Sequence, residues 1–171
     1  MDELLDQLAR LQEAAGETEG LSELDHGLQC AHELSQMVPD DTELQVAGLV
    51  HDIGHQCAPD DLHGQVGGEM VRAALGDRVA ALVEGHVPAK RYLVVSDPAY
   101  GSVLSDVSVL SLEFQGGPMS DDEAAEFEAT PYWEEAVLLR RADDAAKVPG
   151  RKVPPLDHWV PVIREVAAGA A

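Results

Sequence analysis

The sequence predicts an all-α fold, a helical bundle built as one domain over residues 1–171. Apolar residues recur at helical spacing along most of the chain, as the leucines at positions 4, 5, 8 and 11 illustrate. Capping residues precede several of these segments, and no stretch shows the polar–apolar alternation that is typical of a half-buried strand. With 171 residues and 45% hydrophobic composition, the chain is long enough to bury one hydrophobic core.

The predicted helices follow one another along the chain. The first covers residues 2–14, and Ser22 caps the second, with Asp25 three residues later as in a variant of the capping box. The third ends at the pair His51-Asp52. Asp40 or Asp41 caps the third helix, and the fourth starts at about Leu62. A fifth helix starts at Asp77 and runs to about Val94, with a kink at Pro88. The later helices are predicted from Ser105 to Phe114, over 120–128 with Ser120 as the cap, over 130–147 with Thr130 as the cap and Pro131 in the first turn, and over 157–168 from Asp157.

The stretch LVHDIGH, residues 49–55, is the most informative one for function. Adjacent side chains of a helix diverge by roughly 100°, so His51 and Asp52 cannot present one face, but they can contact two different metal ions. Imidazole suits zinc, iron, copper or nickel, and a carboxylate adds the oxygen ligand that iron or manganese accepts. The zinc-protease pattern HExxH is excluded because Asp52 follows the first histidine and Gly54 interrupts the helix.

Further histidines with apolar neighbours strengthen the metal prediction. A single buried histidine is more often a hydrogen-bonded core residue than a ligand. Several of them, with Asp52 and a late aspartate, predict a dinuclear metal centre, because buried imidazoles and carboxylates need partners. The late aspartate is either Asp143 or Asp144. The four histidines are His26, His51, His63 and His86.

The net charge of −21 limits the partners of the chain. Repulsion from a phosphate backbone excludes nucleic acid as a general partner. The few basic residues are unevenly distributed, because two short clusters stand beside candidate metal ligands. These clusters predict a small anionic substrate, although solvated helix charges would give the same pattern. They contain Lys90, Arg91, Arg140, Arg141 and Lys147.

The sequence carries no sign of secretion or membrane insertion. Residues 1–11 alternate acids with leucines and do not resemble a signal peptide. No apolar run approaches the roughly 18 residues of a membrane span. The two cysteines, Cys30 and Cys57, provide no disulfide framework. We therefore expect a cytoplasmic protein that does not bind membranes and is a monomer or a weak homodimer.

Three longer strings extend this pattern: HVPAKRYL at 86–93, QGGPM at 115–119 and RRADDAAK at 140–147. Together with Leu24-Asp25-His26 and the His51-Asp52 pair, they resemble the phosphonate-degrading HD-domain oxygenases, which are relatives of myo-inositol oxygenase. The His-Asp pair alone is shared with many phosphohydrolases, whereas the three strings together are specific. The resemblance covers about residues 19–160.

The resemblance implies an oxygenase that uses O2 to cleave a carbon–phosphorus bond, with two iron ions as a mixed-valent Fe(II)/Fe(III) pair. The family pattern favours Asp143 over Asp144, because Arg140 then lies three residues before the ligand and Lys147 four after it. The ligands that the resemblance implies are His26, His51 and Asp143 on one iron, His63 and His86 on the other, and Asp52 as the bridge.

The implied substrate is a 1-hydroxy-2-aminoethylphosphonate, with or without N-methyl groups. Its products would be phosphate and glycine or the N-methylated counterpart of glycine. His55 and Lys90, each one turn beyond a ligand, would orient the phosphonate with Arg140 and Ser108. Catalytic roles are expected for Asp52, His55 and Lys90.

The segment before the first ligand departs from the family pattern. Glu19 stands where the family has a glutamate, and it could hold the ammonium group of the substrate. Gly16 stands where the family has a tyrosine that occupies an iron until the substrate displaces it. The control of oxygen access and the choice of aminophosphonate are therefore expected to differ.

Two other functions share part of this pattern. An HD-domain phosphohydrolase would cleave a small phosphate ester with a metal-bound hydroxide, and a sensor would bind a metal or ligand without catalysis. Lys90 and the set of four histidines and two aspartates favour the oxygenase. A hydrolase would work under nitrogen with redox-inert metals, and the oxygenase would not.

Overall fold

A computed structural model of the chain describes residues 1–13, 20–102 and 104–170, and within these ranges it contains helices and no β-strand. This confirms the all-α prediction. None of the described helices is long and apolar enough to cross a membrane. The helices are α1 (Asp2–Arg10), α2 (Glu23–Met37), α3 (Thr42–Val50), α4 (His63–Ser96), α5 (Asp106–Phe114), α6 (Asp121–Glu128), α7 (Trp133–Ala145) and α8 (Leu156–Gly169), with short 3-10 helices at Ile53–Gln56 and Tyr100–Ser102.

The hydrophobic core lies between α2, α3, α4 and α7, and α1 and α8 cover its outer faces. Leu34, Leu44, Leu82 and Leu139, one from each central helix, are completely buried in it. Each such side chain stabilises the fold by about 2 kcal/mol relative to an exposed position. Trp159 of α8 packs on the same core.

Several capping residues predicted from the sequence begin their helices. Ser22 Oγ accepts a hydrogen bond from the backbone N–H of Asp25 over 3.0 Å. Asp41, rather than its neighbour Asp40, caps α3 through its carboxylate. At α6, Ser120 and Glu123 form a reciprocal capping box. Each cap satisfies a backbone donor that the helix itself leaves unpaired.

The start of α7 differs from the prediction. Thr130 does not cap this helix, because its hydroxyl donates to the carbonyl of Phe127 over 2.7 Å and so ends α6 instead. The helix begins at Trp133, and its N-cap is Tyr132, whose φ of 62° lies in the left-handed region. The predicted helix over 130–147 was therefore wrong by about one turn at its beginning. The first helix is likewise shorter than predicted, since it ends at Arg10.

The long helix α4 contains a break at Gly76, twelve residues before Pro88. The backbone is non-helical at Gly76, with φ 86° and ψ 173°, and Pro88 lies within the second helical part. Only glycine adopts such a conformation readily. The break confirms that a new helical segment opens at Asp77, and it turns the chain so that residues from both halves of α4 reach the centre of the bundle.

Gly54 allows the segment after α3 to lie directly against the beginning of α4. A Cβ atom on this residue would approach the carbonyl oxygen of His63 to 2.0 Å and the amide nitrogen of Gly67 to 2.8 Å. Both are backbone atoms, which cannot move aside as a flexible side chain can. The contact brings the His-Asp pair and the first histidine of α4 together.

Gly54→Ala is expected to lower the free energy of unfolding by about 3 kcal/mol, since the added methyl group forces α4 away from the 3-10 helix. Urea denaturation measures this change. Gly169→Ala is the matched control, because a Cβ there has no neighbour within 4 Å, and its unfolding midpoint should stay close to that of the wild type. Equal stability of both variants would contradict this account of Gly54.

Candidate metal centre

Six side chains from five parts of the chain meet at the centre of the bundle. They form two groups, and within each group the potential ligand atoms lie within 4.8 Å of one another. Five of the six side chains are buried, and that of Asp52 is 16% exposed. The first group is His26 of α2, His51 after α3 and Asp143 of α7, and the second is Asp52, His63 and His86.

Asp52 lies between the two groups. Its Oδ2 atom is 3.4 Å from His26 Nε2 and 3.1 Å from His51 Nε2. Its Oδ1 atom is 3.4 Å from His63 Nε2 and 3.6 Å from His86 Nε2. One carboxylate oxygen therefore faces each pair of histidines, an arrangement suited to a carboxylate shared by two metal ions.

The backbone fixes the orientation of all four imidazoles. Each Nδ1 atom lies within hydrogen-bond distance of a backbone carbonyl oxygen, so it carries the proton and donates it. The Nε2 atom is then the one with a free lone pair for a metal, as in most metal-binding histidines. The Nδ1–oxygen distances are 3.3 Å from His26 to Ala146, 2.8 Å from His51 to Gly48, 2.7 Å from His63 to Asp60 and 2.5 Å from His86 to Val83.

The surroundings of these atoms fit metal ions. Among the described residues, His51 Nε2 and Asp143 Oδ1 are buried without a hydrogen-bond partner, a costly state for polar atoms. The Nε2 atoms of His63 and His86 are 2.9 Å apart, although the backbone contacts assign a lone pair to each. A cation removes both problems at once, so this donor set fits a metal in each group.

The charges of the site depend on these contacts. Burial alone would raise the pKa of Asp143, but the neighbouring Arg140 and Lys147 hold it well below its usual range. Burial would lower the pKa of His26, yet the carboxylates of Asp143 and Asp52 raise it to about 9 in the metal-free protein. A metal ion that binds at Nε2 would displace that proton. Burial would also raise the pKa of Asp52, but His51 and the other neighbouring histidines hold it well below its usual range. Both carboxylates are therefore ionised at neutral pH and available as anionic ligands.

Three cationic side chains line the cavity in front of the two groups, namely Lys90, Arg140 and Lys147. Lys90 is buried, and its Nζ atom donates to Ser111 Oγ over 2.7 Å. Lys147 Nζ lies 3.0 Å from Ser108 Oγ and 3.4 Å from Asp143 Oδ1. Positive charge thus lies next to the carboxylates where the two groups face the cavity.

The two consecutive aspartates of α7 have different surroundings. Asp143 Oδ1 lies 3.1 Å from His26 Nε2, and its Oδ2 accepts from Arg140 Nη1 over 2.7 Å. Asp144 instead accepts from Arg140 Nη2 and from the hydroxyl of Tyr100. Of the two candidates that the sequence left open, Asp143 is the one beside the histidines.

The other site residues predicted from the sequence do not all line the cavity. His55 lines the cavity and stacks on His63, with ring centroids 3.9 Å apart. Ser108 is buried and contacts Lys147. Glu19 and Gly16 lie outside the described residues.

Three residues beside the site were not assigned a role there from the sequence, although Lys147 belonged to one of the basic clusters that predicted an anionic substrate. Lys147 and Gln115 line the cavity, and Ser111 holds the ammonium group of Lys90. Gln115 Nε2 donates to the carbonyl of Asp60 over 3.1 Å, which leaves its buried Oε1 without a hydrogen-bond partner among the described residues. Ser111 lies one helical turn after Ser108, and that spacing could have revealed it.

Comparison with known proteins agrees with this geometry. The family model of the HD domain matches residues 24–146, which include all six candidate ligands. A hydroxymethylphosphonate dioxygenase from Gimesia maris is 42% identical over 152 residues, covering 82% of this chain and 75% of the relative. A [1-hydroxy-2-(trimethylamino)ethyl]phosphonate dioxygenase (glycine-betaine-forming) from Leisingera caerulea is 34% identical over 134 residues, covering 72% of this chain and 68% of the relative.

The chain belongs to the HD-domain family of phosphonate oxygenases. This confirms the resemblance drawn from the three strings and the His-Asp pair. Membership of the HD-domain family, together with the two His/Asp groups, indicates a metal cofactor.

Proposed function

We propose that this HD-domain protein uses O2 to cleave the carbon–phosphorus bond of a small 1-hydroxyphosphonate. The observation that carries the proposal is the pair of His/Asp groups sharing Asp52, next to a cavity lined by Lys90, Arg140 and Lys147. The names of both relatives support the same chemistry, since each is a dioxygenase of a hydroxyphosphonate.

We infer that the metals are two iron ions in a mixed-valent Fe(II)/Fe(III) state. Imidazole nitrogen and carboxylate oxygen together suit iron better than calcium, magnesium or copper(I). When bound, such a pair supplies the activation and reduction of O2. The proposed ligands are His26, His51 and Asp143 for one iron and His63 and His86 for the other, with Asp52 shared.

The charge balance of the site favours a dianionic substrate. Three cations, Lys90, Arg140 and Lys147, match three largely buried carboxylates, those of Asp52, Asp143 and Asp144. The charge of the metals is then uncompensated and attracts a phosphonate. Lys90 and Lys147 would hold the phosphonate oxygens through charge-assisted hydrogen bonds, and the adjacent carbon would lie beside the metal ligands.

The reaction needs no reductant besides the substrate. The carbon–phosphorus bond breaks, a hydroxyl-bearing carbon becomes a carboxylate, and the phosphonate becomes phosphate. This change removes four electrons from the carbon, which is the number that reduces one O2 completely. Hydroxymethylphosphonate would give formate and phosphate, and 2-amino-1-hydroxyethylphosphonate would give glycine and phosphate.

The choice among these substrates depends on the group attached to the hydroxyl-bearing carbon. We propose that Glu19 recognises an ammonium group when the substrate carries one, as in 2-amino-1-hydroxyethylphosphonate or its N-methylated forms. Hydroxymethylphosphonate lacks this group and would depend on the cations of the cavity alone. His55 and Ser108 would complete the phosphonate site, His55 at the cavity wall and Ser108 through Lys147.

Oxygen uptake and phosphate release, measured together, test the proposal. Iron-loaded, partly reduced protein is given hydroxymethylphosphonate, 2-amino-1-hydroxyethylphosphonate or its trimethylated form. We expect one phosphate per O2 consumed for at least one substrate, and kcat/KM ranks the three. Formate, glycine or glycine betaine is identified as the carboxylate product.

Two controls separate the oxygenase from a hydrolase. The same protein under nitrogen should release no phosphate, and protein loaded with zinc should be inactive in air. Phosphate release without O2 consumption, or with zinc, would show hydrolysis and refute the proposal. A stoichiometrically metallated protein that acts on none of the three substrates would refute it as well.

A further inference from the structure

Tyr100 lies outside the cavity but is connected to it. It begins the 3-10 helix Tyr100–Ser102 after α4, and only 2% of its surface is exposed. Its hydroxyl donates to Asp144 Oδ2 over 2.5 Å and accepts from Arg140 Nε over 3.1 Å. A buried phenol with two charged partners is unusual, because a hydroxyl in the core needs only one hydrogen bond to be satisfied.

Asp144 and Tyr100 fix one edge of the Arg140 guanidinium. Asp144 accepts from both Nε and Nη2 of the guanidinium, so the pair is bidentate, and the hydroxyl of Tyr100 closes the group. The plane of an arginine fork is fixed when two of its edges are bound. The opposite nitrogen, Nη1, then points to Asp143 Oδ2, 2.7 Å away.

The arrangement leaves part of Arg140 for a ligand. A guanidinium has five N–H bonds, and the contacts with described residues use Nε, one hydrogen of Nη1 and one of Nη2. One hydrogen on each terminal nitrogen remains, and Arg140 lines the cavity. We propose that Tyr100 is a positioning residue that, with Asp144, sets the guanidinium of Arg140 so that it holds Asp143 and presents its remaining donors to a phosphonate.

This inference rests on the proposed function for the identity of the ligand, and on the contacts of Tyr100 for everything else. Burial and the adjacent Asp144 raise the pKa of the Tyr100 phenol, so the hydroxyl stays neutral and remains a donor. A cation at this position would compete with Arg140 for Asp144, and an apolar side chain would leave Asp144 free to turn. The neutral hydroxyl of Tyr100 avoids both effects, because it binds Asp144 without carrying a charge.

Tyr100→Phe removes the hydroxyl and keeps the buried ring. We expect the iron content per chain to remain unchanged, kcat to stay within about threefold, and KM for the phosphonate to rise about tenfold. Tyr92→Phe is the matched control, because Tyr92 also donates to a carboxylate, that of Glu128, but this hydrogen bond is exposed and Tyr92 does not line the cavity. Its KM should equal that of the wild type.

Binding of methylphosphonate provides a readout that does not depend on turnover. Calorimetry with metal-loaded protein should show a Kd about tenfold higher for Tyr100→Phe than for the wild type and Tyr92→Phe. If the proposed reaction fails, this measurement still tests Tyr100. Absence of binding by the wild type, or equal Kd values for Tyr100→Phe and the wild type, would overturn the inference.

A double-mutant cycle with Arg140→Lys distinguishes positioning from a general loss of stability. Lysine cannot be held as a fork, so Tyr100→Phe should raise the Kd by less than twofold in the Arg140→Lys background. Asp144→Asn, which weakens the same group from its other side, should also raise the Kd in the wild-type background. Independent, multiplied effects of Tyr100→Phe and Arg140→Lys on the Kd would refute the positioning role. If Tyr100→Phe proves unstable, the same cycle is measured with Asp144→Asn and Arg140→Lys, and multiplied effects there would refute it as well.

Discussion

Asp52→Ala is expected to abolish the binding of both metal ions. The carboxylate contacts all four histidines, at distances of 3.1 to 3.6 Å from their Nε2 atoms. Without it, each remaining group has fewer anionic ligands, and two cations placed side by side repel one another without a shared anion. We expect the affinity for each iron to fall by more than about 100-fold. Metal analysis of the protein after gel filtration measures the loss.

Asp61→Ala is the control for this change, since Asp61 is an exposed acid close in sequence to the site. It should retain the iron content of the wild type. Circular dichroism should show helical Asp52→Ala protein, because Asp52 lies after α3 and caps no α-helix. An Asp52→Ala protein with both irons bound would show that the carboxylate is not the bridge.

The sequence predicted most of the fold because helix ends depend on local chemistry. Ser22 and Ser120 cap their helices with the donors expected from their position. The errors arose where a residue had two possible partners. Thr130 could cap the following helix or bind back to Phe127, and packing selected the second. The break of α4 lies at Gly76, where the sequence indicated only that a new helix begins at Asp77.

Several residues of the candidate site could also be predicted from the sequence, because they are close to one another along the chain. His51 and Asp52 are adjacent, and His86 and Lys90 are one turn apart, so each pair shares an element. The choice between Asp143 and Asp144 could not be made from spacing alone, because it depends on which face of α7 meets α2. Helical packing brings Asp143 to His26 and leaves Asp144 to Tyr100.

Contacts between distant segments account for what the sequence did not predict. Tyr100 lies 44 residues before Asp144, and no periodicity connects them. Ser111 lies 21 residues after Lys90, in a helix that buries two serines, Ser108 and Ser111, beside Leu112. In the sequence, such a polar face has the pattern of a weak or exposed helix. Its burial is explained by the two lysines that its serines contact, Lys90 and Lys147.

The cation nearest to this polar face gives the second large expected effect. Lys90→Met should leave the iron content unchanged and raise KM for the phosphonate by about 10- to 100-fold. The methionine keeps the apolar stem and removes the ammonium group, and a hydrogen bond to a charged partner contributes about 1.5–3 kcal/mol. The buried position of Lys90 makes this contribution large, because water does not screen the charge there. Steady-state kinetics at saturating O2 measures the change.

Lys152→Met is the matched control, since Lys152 is exposed and lies outside the cavity. It removes the same charge from the protein, so it corrects for the more negative net charge and its repulsion of an anionic substrate. A role for Lys90 in binding requires that KM rise in Lys90→Met and not in Lys152→Met. If kcat fell while KM stayed constant, Lys90 would act on the transition state and not on the bound phosphonate. Unchanged values of both constants would exclude Lys90 from the anion site and leave Lys147 and Arg140 as its cations.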